Sequence, residues 1–535
     1  MTATAVRTSD DGGKGLKTGA IGLASSVVIG VASTAPAYSL AATLVFIVEL
    51  VGPQAPSIVV LAFVPILFVS IGYQQLNKRE PDCGTTFTWA TKAFGPKTGW
   101  LGGWGIIAAD ILVMASLAQV AGQYVFLLFG NHSIGDHPES GWVLLIGLVW
   151  MALMTWICYR GIELSARIQQ ALLALEVVVL IIFAVTALYK VYGDSPPPTA
   201  VKPSLSWFNP FDVADLNTFA QGIILMLFIY WGWDSAVSVN EETKDRDKTP
   251  GRAAVISTVL LLATYVIVTL AAQSFAGVGT KGIGLANDDN SDNILSVVGG
   301  SVFGTSGFGT VMSKLLILLV LTSAAACTQT TILPTARTTL SMAAFKAIPA
   351  RFAKIHPRHL TPTASTLWMG GISAVIYLAM NFYADAGLVG DAVTAIGVMI
   401  AFYYGLTGFA CAWYYRKELR GLGNFLKRGL IPFLGGVMLF GGLILTLFQD
   451  WKPASSNVVW TTPWHWHIGW AFLLAVGTVV VGVVLLLISM AVYKPFFRGE
   501  TLNRDTPIFL ADDAPITAGL TLPDSRERLV EPPAS

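Results

Sequence analysis

The sequence predicts an all-α integral membrane protein with 12 transmembrane helices, and three observations carry that prediction. Apolar residues make up 54% of the chain and charged residues only 12%, about half the charged share of a soluble domain. The charges fall in short clusters between apolar runs, many of them long enough to cross a bilayer as a helix of roughly 20 residues. Basic residues, moreover, sit almost entirely in alternate connecting segments. No short alternating strands support a barrel, so helices must satisfy the backbone in lipid.

Apolar runs between charged or Pro/Gly breaks place spans near 20–48, 55–74, 98–129, 141–159, 165–189, 216–240, 253–276, 308–335, 363–383, 390–415, 430–449 and 467–493. With the N-terminus cytoplasmic, 28 of the 33 Lys and Arg residues lie inside. Lys190, Lys202, Lys281 and Lys452 lie outside, Lys314 lies near a span, and the outer loops carry acids such as Asp288, Asp289 and Asp292. That asymmetry orients both termini to the cytoplasm of a cell membrane. Residues 1–19 form a polar cytoplasmic segment without the features of a cleavable signal peptide. Residues 20–190 hold a first five-helix repeat, 216–415 a second, 430–493 helices 11 and 12, and 495–535 a Pro-, Asp- and Ala-rich tail expected to be disordered. The segment after Pro81 reads as an amphipathic helix on the inner membrane surface, anchored by Trp89 and Phe94.

Several classes are disfavoured. The net charge of +1 and the lack of a basic patch with interleaved aromatics give no reason to expect a nucleic-acid partner. Cys83, Cys158, Cys327 and Cys411 are widely spaced and expected to be free thiols. No nucleotide-binding loop, nucleophile–base pair or metal constellation is present, so neither a pump, an enzyme nor a cofactor is expected. The His465-Trp466-His467 run reads as an interfacial belt rather than a metal site.

Two interrupted spans mark a site. In IGVASTAPAYSL, residues 29–40, Ala32, Ser33, Thr34 and Ala35 are expected to be unwound, with Thr34 as N-cap and Pro36 in the first turn of a new half-helix. The free amides from Ser33 to Ala37, at a positive helix end, suit a carboxylate, although a simple proline kink remains the alternative. Five spans on, FIYWGWDSAVSVNEETKDRDKTPGRAA, residues 228–254, sets Gly232 between Trp231 and Trp233 and follows them with Asp234 inside hydrocarbon. An acid there defaults to function, facing an amino group; the tryptophans form either an aromatic wall over an ammonium or plain packing. Spans one and six then begin two five-helix repeats of inverted topology.

These residues, with EPDCGTTFTWATKAFGPKTGWLGGW (80–104), YWGWDSAVSVNEETKDRDKTPGR (230–252) and LPTARTTLSMAAFKAIPARFAKIHPRHLTP (333–362), resemble the amino acid–polyamine–organocation superfamily of permeases over roughly residues 16–495. The resemblance implies a LeuT-type five-plus-five inverted repeat with two further C-terminal helices, and alternating access around a midplane site. Many members break the first helix with Gly-x-Gly, whereas this chain has Ala32 to Ala35. Several proton-coupled members place a Lys on the fifth helix where this chain carries Glu176.

Asp110 and Glu176 lie about 12 and 11 residues into their spans, near mid-bilayer at 1.5 Å per residue. A carboxyl in hydrocarbon favours its neutral form, so each is a candidate coupling residue; a carboxyl locked by hydrogen bonds is the alternative. Glu241, Glu242, Arg252 and Arg337 at cytoplasmic helix ends suggest an inner gate of ion pairs, or solvated helix ends. Intramembrane acids with few bases argue against anionic substrates. The expected function is secondary transport of an amino acid or related amine, coupled to protons. A sodium symporter using Glu176 with Thr322 and Ser323, an exchanger of substrate for its decarboxylated amine and a transporter-like nutrient receptor are the alternatives.

Overall fold

A run of apolar residues in lipid can satisfy its amides only within itself, and the apolar runs of this chain are helical throughout. The computed structural model describes residues 14–508 apart from 288–289, 291–293, 305, 385–386, 453–455, 457 and 462–466. Arg7, Asp288, Asp289, Asp292, His465, Trp466 and residues 509–535 of the tail therefore lie outside the described residues.

The helices are α1 Leu23–Thr34, α2 Pro36–Val51, α3 Ala55–Arg79, α4 Thr86–Phe94, α5 Pro96–Leu128, α6 His132–Gly135, α7 Gly141–Arg160, α8 Ile162–Tyr192, α9 Leu216–Ile229 and α10 Ser235–Ser238. They continue with α11 Thr249–Ala276, α12 Ile294–Phe303, α13 Gly307–Ala344, α14 Thr363–Ala384, α15 Gly387–Tyr414, α16 Leu422–Asn424, α17 Ile431–Asp450, α18 Trp470–Val492 and α19 Lys494–Phe497. Among the described residues, ten helical stretches are long and apolar enough to cross a membrane; the first, Leu23–Arg79, takes in α1, α2 and α3. The chain is a multi-pass membrane protein. One short antiparallel pair, Val459–Thr461 with His467–Gly469, precedes α18.

The 38-residue α13 runs through the middle of the bundle against α5, α8 and α1. Its stretch from Ser323 to Ser341 is buried on all sides although rich in Thr, Ser and Gln, as befits a helix surrounded by helices. Its threonines satisfy themselves locally: Thr328 donates to Ala324 O at 2.7 Å and Thr330 to Ala326 O at 2.9 Å. All four cysteines are free and buried.

The helix after Pro81 exists but does not lie on a surface. Trp89 is fully buried, donates from Nε1 to Glu80 O at 2.8 Å and packs edge-on against Tyr73. Only Phe94 is exposed. α4 packs against α5 and α15, which cover its apolar face.

Candidate functional site

The first span breaks at one residue. Pro36 disfavours the right-handed helical region for the residue before it, and Ala35 takes φ 46°, ψ 69°. Ala32, Ser33 and Thr34 stay helical, so the expected unwinding of all four is corrected to Ala35 alone. Thr34 is not the N-cap: its hydroxyl turns back to Val31 O at 2.7 Å, and the N-cap position falls to Ala35, which has no capping side chain. The first free amides of α2 must find partners elsewhere.

Glu176 of α8 supplies one. Its Oε1 accepts from the Ala37 N–H at 2.7 Å and from the Ser323 hydroxyl at 2.8 Å, while the Tyr38 N–H donates to Ser323 Oγ at 3.4 Å. Glu176 is 1% exposed, and its Oε2 has no hydrogen-bond partner among the described residues. The amides expected to hold a substrate carboxylate thus hold a side-chain carboxyl. Thr322 points away, donating to Leu319 O at 3.0 Å.

The second break faces the first. α9 ends at Ile229 and α10 starts at Ser235, with Gly232 between them at φ 113°. A Cβ on Gly232 would lie 2.6 Å from Ser33 O, so only glycine lets the two broken segments touch. Ser33 Oγ and Ser235 Oγ share a hydrogen bond at 2.7 Å, and Cys327 donates to Ser33 O at 3.0 Å. Asp234 accepts from the Tyr404 hydroxyl at 2.7 Å and the Tyr403 hydroxyl at 3.3 Å. Trp231 donates from Nε1 to Tyr403 Oη at 2.5 Å, and the Gly232 N–H donates to Tyr404 Oη at 3.3 Å. Trp233 packs on Tyr404 and Tyr73. The adjacent tyrosines of α15 are site residues that the sequence reading missed; a Tyr-Tyr pair inside an apolar run was the available signal. Asp110 of α5 accepts from the Thr335 hydroxyl and lies within electrostatic reach of Asp234.

Beyond α10 Arg337 forks onto Glu242 with hydrogen bonds of 2.9 and 3.0 Å, both groups buried. Arg252 does not join them: it is exposed in the first turn of α11. The cation at Glu241 is Lys14, whose Nζ lies 2.5 Å from Glu241 Oε1, 2.6 Å from Asp82 Oδ2 and 3.7 Å from Cys83 Sγ. It fills the space where Asp82, Cys83 and Glu241 bring their ligand atoms within 4.8 Å of one another. Asp82 also accepts from Ser341, Thr88 and the Gly84 amide. Two backbone hydrogen bonds strap Ile21 to Glu242 and Lys244, tying the N-terminal segment to this stretch. Sequence gave no hint of this, because Lys14 sits in a polar segment that reads as a tail.

Burial alone would push the Asp82 carboxyl up, but the Lys14 ammonium and its hydrogen bonds hold it down at about 2. Burial works against the Lys14 charge in turn, and Asp82, Cys83 and Glu241 override it and raise its affinity for a proton. A depressed carboxyl stabilises above its ordinary value near 3.8 and loses that contribution as pH falls through about 2. The Lys14–Asp82 ion pair is therefore kept across the physiological range. Lys14→Met strands Asp82 and Glu241 as buried acids without a cation, which strongly destabilises the seating of the N-terminal segment on them. Cys83, fully buried beneath them, is expected to react with a maleimide at least about tenfold faster in Lys14→Met, once the other three cysteines are replaced. Unchanged reactivity means that the Lys14 ion pairs do not hold the N-terminal segment over Cys83.

The sequence profile of the family described as "Amino acid permease" matches residues 18–473. The chain is 25% identical to a branched-chain amino acid permease of Bacillus subtilis, over 76% of this chain and 83% of that one. It is 22% identical to a low-affinity putrescine importer of Escherichia coli K12, over 74% and 82%. A serine/threonine exchanger of Bacillus subtilis is 22% identical over 72% and 81%.

Proposed function

The chain belongs to the amino acid permease family, and from that premise we propose that it is a secondary active transporter that carries amino acids or related amines by alternating access and couples their movement to protons. Members and relatives named above are permeases, importers and exchangers, not enzymes. The proposal includes a fold of 12 spanning helices: an inverted pair of five-helix repeats, residues 20–190 and 216–415, followed by two helices, with both termini cytoplasmic and the protein in the cell membrane.

One observation carries the reading. Two interrupted spans meet at Ser33 and Ser235, and a carboxyl with a vacant oxygen, Glu176, sits at the helix end exposed by the first interruption. Broken helices in matching positions are how secondary transporters build a midplane site. Substrate lies against Ala32, Ser33, Thr34, Ala35, Ala37, Trp231, Gly232, Trp233 and Asp234. Glu176 is the coupling residue, with Asp110 a second buried carboxyl. Glu241 with Lys14 and Glu242 with Arg337 close the inner side.

The Glu176 and Ser323 oxygens, neighbours on facing helices, also favour a second reading in which both turn to ligate a sodium ion in place of the proton between them. Purified protein in liposomes separates the two. Uptake of amino acids or amines driven by an imposed proton gradient, and indifferent to sodium at fixed pH, is the expected result. Strict sodium dependence replaces the proton, and no uptake or exchange of any such solute ends the transport reading.

A further inference from the structure

We propose that the preferred substrate is an organic amine without a carboxylate, a deepening that rests on the transport reading above. A zwitterionic amino acid needs one site for its ammonium and one for its carboxylate. In this chain the carboxylate site is occupied by the protein itself. The Ala37 N–H and the Ser323 hydroxyl both donate to Glu176 Oε1, and the Tyr38 N–H is taken by Ser323. The positive end of α2 is thereby already matched with a carboxyl.

The remaining polar groups point the same way. Glu176 Oε2 is buried without a partner, so no donor of the described residues offsets this side of the carboxyl. Across the broken segments Asp234 and Asp110 lie within electrostatic reach of each other. Among the described residues the buried cations are Lys92, Arg246 and Arg337, with Lys14 of the Asp82–Glu241 cluster nearly so. All have partners of their own: Lys92 bonds Glu80, Arg246 bonds Pro81 O and Arg337 bonds Glu242. No buried base faces Asp110, Glu176 or Asp234 among the described residues. A substrate carboxylate would therefore enter among acids with no countercharge, a like-charge juxtaposition that disfavours binding. An ammonium would enter as the missing cation. Relatives include both a branched-chain amino acid permease and a putrescine importer at similar identity, so the comparisons leave the choice to the geometry.

Matched pairs that differ only by the carboxylate test this: putrescine against ornithine, cadaverine against lysine, isopentylamine against leucine. Competition for binding and counterflow are measured with the full chain in liposomes. The amine of at least one pair is expected to compete at least about tenfold better than its amino acid. Glu176→Ala frees the Ala37 N–H and is expected to shrink that ratio at least about tenfold by admitting carboxylates. If Glu176→Ala folds poorly, its melting temperature should rise on adding acetate, which supplies the missing acceptor. Glu176→Gln, which keeps an oxygen for the Ala37 N–H but removes the charge and turns the second oxygen into an NH2 donor, is expected to lower the ratio by less than Glu176→Ala does. Amino acids that bind as well as or better than their amines in every pair overturn the inference and leave transport standing. An amine preference that is untouched by both Glu176 variants overturns the role given to this residue. Failure of both series to bind or exchange sinks the transport reading and this inference with it.

Discussion

Glu176→Gln is expected to abolish concentrative uptake while leaving binding and exchange in place. The side chain sits between two elements: Oε1 ties the start of α2 to Ser323 of α13, and Oε2 is unengaged. Glutamine keeps an oxygen for the Ala37 amide and the Ser323 hydroxyl, so the junction of α2, α8 and α13 survives the change. What it loses is the proton. One proton moving down a gradient of about one pH unit supplies about 1.4 kcal/mol, enough for about tenfold accumulation. The wild-type protein is expected to reach that ratio in liposomes, and the variant is expected to equilibrate near unity. Counterflow, which needs no net driving force, should persist in the variant. Accumulation that survives in Glu176→Gln removes the residue from the coupling mechanism. Loss of counterflow together with accumulation gives it a structural role instead.

How far the sequence revealed this arrangement depended on whether a feature was local. Span positions follow from apolar run length, and the first interruption follows from Pro36, whose ring acts on the residue before it. Gly232 was visible as a flexible point beside an acid. What a side chain reaches across the bundle was not visible. Glu176 lies 139 residues from Ala37, whose amide it caps, and no pattern along α8 announces that partner. Tyr403 and Tyr404 approach Asp234 from α15, 169 and 170 residues away. The buried ion pairs show the same limit. Glu241, Glu242, Arg252 and Arg337 were expected to form ion pairs among themselves; Arg337 and Glu242 do pair, but the partner of Glu241 is Lys14, 227 residues distant, and Arg252 is exposed. Sequence proximity is a poor guide where the binding partner is set by the packing of helices. Trp89 failed for a related reason, since amphipathicity says that a helix has an apolar face but not whether lipid or protein covers it.

Gly232→Ala is expected to eliminate transport and to destabilise the fold. The alanine Cβ would lie 2.6 Å from Ser33 O and 2.8 Å from Ser33 C, both backbone atoms that no rotamer change can move aside. The residue also sits at φ 113°, where an L-side chain is strained. Strain and forced displacement together cost roughly 2–6 kcal/mol. The displacement falls on the contact between the two broken segments, because Ser33 bonds Ser235 and Cys327 from the same turn. It also moves the Gly232 amide off Tyr404, which holds Asp234. Uptake in liposomes should therefore fall at least about 100-fold, with a lowered melting temperature in detergent. Gly441→Ala in α17 is the control, since its Cβ meets nothing within 4 Å, and alanine suits a helix interior better than glycine. It should transport normally. Wild-type uptake in Gly232→Ala means that close approach of the broken segments is not needed for transport. A fall in melting temperature alone confines the glycine to folding.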